Sequence, residues 1–149
     1  LDFPGGESLR DPAAVLVSLD RVTPDPTLAD TGFPQQVELF DRMADRDGTA
    51  PPVLDTADLL ADPAGVLRML CTRLGLAFDP AMLTWAPGPR ATDGAWAPHW
   101  YASVEASTGF GAPRKDAAEV PDRLRPVLDA CLPLFDHLSS FRLPDAPAV

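Results

Sequence analysis

Basic side chains are scarce in this sequence. Twelve Lys and Arg stand against 22 Asp and Glu, a net charge of −10 at pH 7. Non-specific nucleic-acid binding needs a basic footprint, so nucleic acid is excluded as a partner. An anionic membrane surface is disfavoured by the same charge. An acidic chain can still hold an anionic nucleotide, but only where Arg is concentrated locally. Cysteine and histidine are scarcer still, two of each, widely separated and without ligand spacing, which gives a metal site no support. Cys71 in Leu70-Cys71-Thr72 and Cys131 in Ala130-Cys131-Leu132 fall within apolar helical patterns. They read as reduced core residues rather than as a disulfide framework. No apolar run approaches transmembrane length. The start, Leu1-Asp2-Phe3-Pro4-Gly5-Gly6, has neither a basic n-region nor an apolar h-region, so no secretory signal is read there. These absences point to a cytoplasmic chain that does not enter a membrane.

What is present is enough for a core. The 149 residues are 46% hydrophobic, which bounds the chain to a single globular domain over 1–149. Its 18 prolines exceed the usual share of about 5%, and several stand where helices should open. The most informative stretch is Arg10-Asp11-Pro12 followed by Val15, Leu16, Ser18 and Leu19. Asp11 is a good N-cap, and Pro12 sits at the first helical position, where a missing N–H costs nothing. Val15, Leu16 and Leu19 supply an apolar face at helical spacing. Ser18 stands roughly 10–12 Å along the axis from Arg10, given a rise of about 1.5 Å per residue. A guanidinium fork and a hydroxyl at that reach could hold a phosphate. The plainer reading is a solvated Arg and a Ser bonded to its own i−4 carbonyl.

The rest of the chain reads as short helices with few strands. Pro4, Gly5 and Gly6 argue against a buried strand ahead of Arg10, which makes residues 1–9 an atypical start. The first helix should run to about Arg21, with a loop over 22–32. A second helix is expected from Phe33 to about Asp47, buried through Val37, Phe40 and Met43 and closed by Gly48. Residues 52–55 are a candidate strand. Asp62-Pro63 repeats the Asp-Pro opening for a helix to Leu74 with Gly75 as its stop, and Asp79-Pro80 opens a shorter turn. All three tryptophans and the only tyrosine fall within seventeen residues, from Trp85 to Tyr101. A loop with Gly88, Arg90 and Gly94 beside those rings suits a nucleotide, with the Arg for phosphate and the rings for stacking. Equally, Trp residues can pin a long loop to the core, and Trp96, Trp100 and Val104 share one helical face. His99 is either a general base or a hydrogen-bonded structural residue. The final helix should begin near Pro121, with a bend or break at Pro126 or Pro133, and the tail over 143–149 should fray.

Three of these stretches resemble sulfotransferases that use 3′-phosphoadenosine 5′-phosphosulfate (PAPS). Arg10-Asp11-Pro12 with Val15 and Ser18 is similar to the R-D-P-x-x-V-x-x-S segment, whose Arg and Ser bind the 3′-phosphate. Residues 53–78, from Val53-Leu54-Asp55-Thr56 through Asp62-Pro63 to Leu74-Gly75-Leu76-Ala77-Phe78, resemble the strand ending in Y-E-D-L, then D-P, then F-L-G-L-x-F. Thr56 stands where that family often has a Tyr near the adenine. Arg90 to Trp96, with Gly94-Ala95-Trp96, resembles the loop that closes over the nucleotide, and the run from His99 to Phe110 is similar to a bacterial branch. The resemblance implies a helix-rich α/β architecture, the C-terminal half of a P-loop-type fold, with one or two short parallel strands and about five helices. Arg10, Ser18, Thr56, Arg90, Gly94 and Trp96 are its implied nucleotide contacts, with PAPS or adenosine 3′,5′-bisphosphate as ligand.

One part of that pattern is not found. The Gly-rich loop that carries Lys or Arg with Ser or Thr, and that holds the 5′-phosphosulfate, has no counterpart here: Gly5-Gly6-Glu7-Ser8 has no cation. Two functions follow as expectations. Either the chain keeps a 3′-phosphate half-site and is inactive alone, or it is a non-catalytic helical interaction module. In both, a second copy or a partner chain would cover the open sheet edge and apolar surface left by half a fold.

Overall fold

Two very short strands set the layout. The computed structural model describes residues 7–89, 105–112 and 119–143. Strand β1 (Glu7–Leu9) pairs in parallel with β2 (Val53–Asp55), in the register Glu7↔Val53, Ser8↔Leu54, Leu9↔Asp55. Strand alternation sends Leu9 and Val53 to one face of the pair and Leu54 to the other. On the first face lie α1 (Pro12–Leu19), α2 (Phe33–Asp47) and α5 (Arg125–Ser139). Leu9, Val53, Phe33, Phe40, Cys131 and Leu138 form the cluster buried there. On the second face, Leu54 packs with Val66, Leu67 and Leu70 of α4 (Pro63–Arg73), and Leu59 of α3 (Thr56–Ala61) borders them. The result is helices on both faces of a parallel pair, the α/β architecture expected, with five α-helices and two strands among the described residues.

The start corrects one expectation. Pro4 and the two glycines were reasons to exclude a buried strand before Arg10, yet Glu7–Leu9 pairs with β2 and Leu9 is only 1% exposed. The pairing needs only three residues, and Glu7–Leu9 follow the Pro-Gly-Gly run. β2 is also covered on its other side: Val53 bridges in parallel to Arg142, and the Leu143 N–H donates to the Val53 carbonyl at 2.9 Å. Leu143 also packs at the second core, so the chain is pinned up to that residue; residues 144–149 lie outside the described ones. Among the described residues, the outer edge of β1 has no partner strand.

The Asp-Pro pairs act as the sequence suggests. Asp11 Oδ1 accepts from the Ala13 N–H at 3.0 Å, Asp62 Oδ1 from Gly65 at 2.9 Å, and Asp79 Oδ1 from Ala81 at 2.9 Å. Each carboxylate satisfies an otherwise orphaned donor while the proline fills a position that has no donor to lose. Asp55 caps α3 in the same way, accepting from Ala57 at 2.7 Å. From the sequence no helix is assigned to these residues. Gly75, with φ of +68°, ends α4: its N–H donates to Thr72 and the Leu76 N–H reaches back to Cys71, the paired bonds of a Schellman motif. Helix α1 stops at Leu19, earlier than Arg21, and Asp20 is then held by Arg123 at 2.7 Å, which ties this end to the start of α5.

Helix α5 settles one half of the expectation for its prolines: there is no break. Pro126 lies in its first turn, where no N–H is needed, and the helix continues through Pro133 without a break. The lost bond from position 133 would have gone to Asp129, and both residues are exposed, so water can satisfy that carbonyl. Both cysteines are buried and unpaired, as expected of core thiols. Burial pushes the Cys131 thiol pKa up, and a weak bond to the Thr31 hydroxyl offsets part of that.

Two stability measurements follow from this architecture. Leu9→Ala should cost about 2–5 kcal/mol in urea unfolding, the range for a core leucine; a loss of a few tenths would mean that β1 is not part of the core. Pro133→Ala should raise stability by about 1–3 kcal/mol, because alanine restores an interior helical bond at an exposed position.

Candidate functional site

Parallel strands in open α/β sheets deliver ligand-binding groups beyond their carboxyl ends. At that end of β1 stands Arg10, exposed and without an ion pair or side-chain hydrogen bond to any described residue. At the same end of β2 stands Thr56. Ser8 and Thr56 lie on the same face, and their hydroxyls are hydrogen-bonded at 2.8 Å across the two strand ends. Arg10, Ser8 and Thr56 are therefore gathered at one end of the pair by the strand register. Ser8 was not singled out from the sequence, where it reads as part of a glycine-rich start. Its signal lies in the register, which places it beside Leu54 and within reach of Thr56.

The helix that follows Arg10 offers little to an anion through its backbone. Pro12 has no N–H, and the Asp11 carboxylate already takes the Ala13 donor while placing a negative charge at the helix start. A phosphate here must be held by side chains. Ser18 lies on the exposed side of α1, about 9 Å along the axis from Pro12 at 1.5 Å per residue. The arrangement keeps its hydroxyl in solvent. Arg10 and Ser18 thus flank α1, one before its first turn and one near its end.

The aromatic segment is described only at its base. The Thr84–Gly109 bridge, the Trp85 N–H to Thr108 carbonyl bond at 3.1 Å and the Gly88 N–H to Glu105 carbonyl bond at 2.7 Å hold its two ends together. Trp85 packs edge-on against Phe110 with centroids 5.3 Å apart, and its indole N–H donates to Ser107 at 3.0 Å. Trp85 thus has the loop-pinning role, and Phe110 and Leu83 continue it into the second core. A Cβ on Gly109 would stand 3.2 Å from the Leu83 carbonyl, so glycine here serves close backbone approach. Arg90, Gly94, Trp96 and His99 all fall outside the described residues. His137, for which the sequence suggests no partner, faces Asp41 at 3.4 Å on the surface between α2 and α5, with its ring against Phe40 and Phe141. Among the described residues no group of His, Cys, Asp and Glu side chains is placed to hold a metal, and no helix is long and apolar enough to cross a membrane.

A parallel strand pair flanked by helices, with Arg10 unpaired among the described residues at its carboxyl end, is an open α/β arrangement. The comparison with known families makes the assignment narrower: the sulfotransferase domain family matches residues 7–141, from the first residue of β1 to two residues past α5, and the chain belongs to that family. Two curated proteins of Arabidopsis thaliana are similar to it. Branched-chain-amino-acid aminotransferase-like protein 1 is 38% identical over 132 residues, which is 89% of this chain and 23% of that protein. Branched-chain-amino-acid aminotransferase-like protein 2 is 35% identical over 130 residues, 87% of this chain and again 23% of the relative. The chain therefore spans about a quarter of the length of the curated relatives it matches. No solved structure matches it.

The Trp85 contact can be tested directly. Trp85→Phe keeps a ring against Phe110 but loses the indole donor, and should cost about 0.5–1.5 kcal/mol. Trp85→Ala loses both and should cost about 2–3 kcal/mol in urea unfolding. Equal costs would show that the ring pair contributes nothing.

Proposed function

We propose that this chain carries the 3′-phosphate half of a PAPS-dependent sulfotransferase site. The observation that supports it is Arg10: an exposed guanidinium, unpaired among the described residues, delivered to the carboxyl end of a parallel strand just ahead of a capped helix. In this reading Arg10 grips the 3′-phosphate through its fork, and Ser18 donates a hydroxyl to it. Thr56, steadied by Ser8, lies near the base. Arg90, Gly94 and Trp96 close over the nucleotide. PAPS supplies the sulfuryl group, which passes in line to an alcohol or amine acceptor. This chain's part is to bind and orient the nucleotide. The described residues include no cation-bearing Gly-rich loop for the 5′-phosphosulfate, so catalysis requires that loop from outside this segment, and this chain alone is inactive.

The unpartnered edge of β1 supports a second element of the reading. A strand from a partner chain, or from a second copy of this one, completes the sheet there and shields its apolar faces. The two unpaired, buried thiols favour a reducing compartment, the cytoplasm.

Calorimetric titration with adenosine 3′,5′-bisphosphate tests the nucleotide reading. The expected result is binding on the order of micromolar, weakened about 10- to 100-fold by Arg10→Ala through loss of a charged hydrogen-bonded pair. No heat from a chain with intact circular dichroism would overturn it and leave the interaction module. For the β1 edge, sedimentation across a range of concentrations should show a self-associating species if a second copy is the partner.

A further inference from the structure

The opposite end of β2 holds a second cationic site. A half-open pocket of about 220 Å³ is formed by Pro51, Pro52, Phe141 and Leu143, with Arg73 and Arg142 at its wall. It sits where the chain enters β2. Thr56 lies four residues on, roughly 13 Å away at about 3.3 Å per residue, so this pocket and the Arg10 site are distinct.

The pocket is distinguished by two arginines, without a carboxylate partner among the described residues, lining it together. In a chain of net charge −10, four of the nine described arginines have a carboxylate: Arg42 has Glu38, Arg46 has Asp47, Arg123 has Asp20 and Arg125 has Asp122. Arg73 and Arg142 have none among the described residues, although they share one pocket with no carboxylate in its lining. Helix ends account for part of this. Arg73 is in the last turn of α4, and Arg142 follows the end of α5. Each helix end carries about −0.5 of a charge, so two guanidiniums leave the pocket with a net charge of about +1. Their hydrogen-bond donors are also unspent. The rest of the lining is apolar and includes Phe141, which is 40% exposed with its ring braced against Phe40 at 4.7 Å between centroids.

From this juxtaposition we propose that the pocket binds a small organic oxyanion ester, its phosphate or sulfate head held by Arg73 and Arg142 and its apolar body against Phe141 and Pro52. The guanidinium forks match the head, and the ring and prolines exclude water from the body. The volume lies below the ~300–1,000 Å³ of sites for drug-sized ligands, which limits the body to about one ring.

Titration of the full chain with phenyl phosphate, followed by amide NMR shifts, tests this. Saturable shifts are expected at Phe141 and Leu143 with Kd on the order of 1 mM, the range for so small a ligand. Arg73→Gln and Arg142→Gln should each weaken binding about fivefold or more, and the Lys variants, which keep the charge but lose the fork, by less. Arg10→Ala should leave it unchanged, whatever it does to the bisphosphate titration. Phenyl sulfate in a parallel titration identifies the head, and tighter binding of either ester supports the site. Shifts confined to the Arg10 end, binding indifferent to both Gln variants, or inorganic phosphate binding as tightly as phenyl phosphate would each overturn the proposal.

Discussion

The structure depends on one constraint: a parallel strand pair must be covered on both faces. Three residues in each strand make too few backbone bonds to persist alone, so β1 and β2 exist because helices bury them. Val53 and Leu54 are adjacent in sequence and point to opposite sides, and each anchors a different cluster. Helix α5 reaches β1, β2, α1 and α2, which explains how a chain whose strands total six residues still has a continuous first layer. The second layer is built locally, from α3 and α4, the two helices that directly follow β2.

The same pairing creates the candidate site. Because both strands run in one direction, both end on the same side, and the residues just past those ends converge: Arg10 beyond β1, Thr56 beyond β2. The hydroxyl bond between Ser8 and Thr56 is a consequence of register, and a slip of one residue would put Ser8 on the other face. At the other ends of the strands the chain brings Arg142, Leu143 and Pro52 together with the end of α4. Opposite ends of one short strand pair thus carry two separate cationic features within an acidic protein.

Much of the local structure was legible in the sequence because it is written in short-range chemistry. The Asp-Pro pairs at 11–12, 62–63 and 79–80 each open a helix or turn at the expected place, since a cap needs only a carboxylate, a nearby N–H and a residue willing to begin a helix. Gly48 and Gly75 likewise end α2 and α4 through positive φ angles that other residues resist. The failures are equally physical. The exclusion of β1 weighed Pro4, Gly5 and Gly6 as local breakers, but pairing begins after them and is stabilised by the burial of Leu9 against partners more than twenty residues away. A break at Pro126 or Pro133, the alternative to a bend, does not occur: Pro126 lies in the first turn, and the carbonyl that loses its bond at Pro133 is exposed to water.

By itself, the sequence determined the Asp-Pro helix starts, the glycine stops, the unpaired state of two apolar cysteines, the acidic balance and the family whose pattern spans residues 7–141, because each rests on composition or on residues close in the chain. Tertiary structure alone decided that Ser8 meets Thr56, that Arg142 and Leu143 run beside Val53, that His137 faces Asp41, and that Arg73 shares a pocket with Arg142. Those partners lie between 48 and 96 residues apart, or on elements whose meeting depends on which face of a three-residue strand each helix covers. No local propensity encodes that choice; it follows from burying both faces of the strand pair at once.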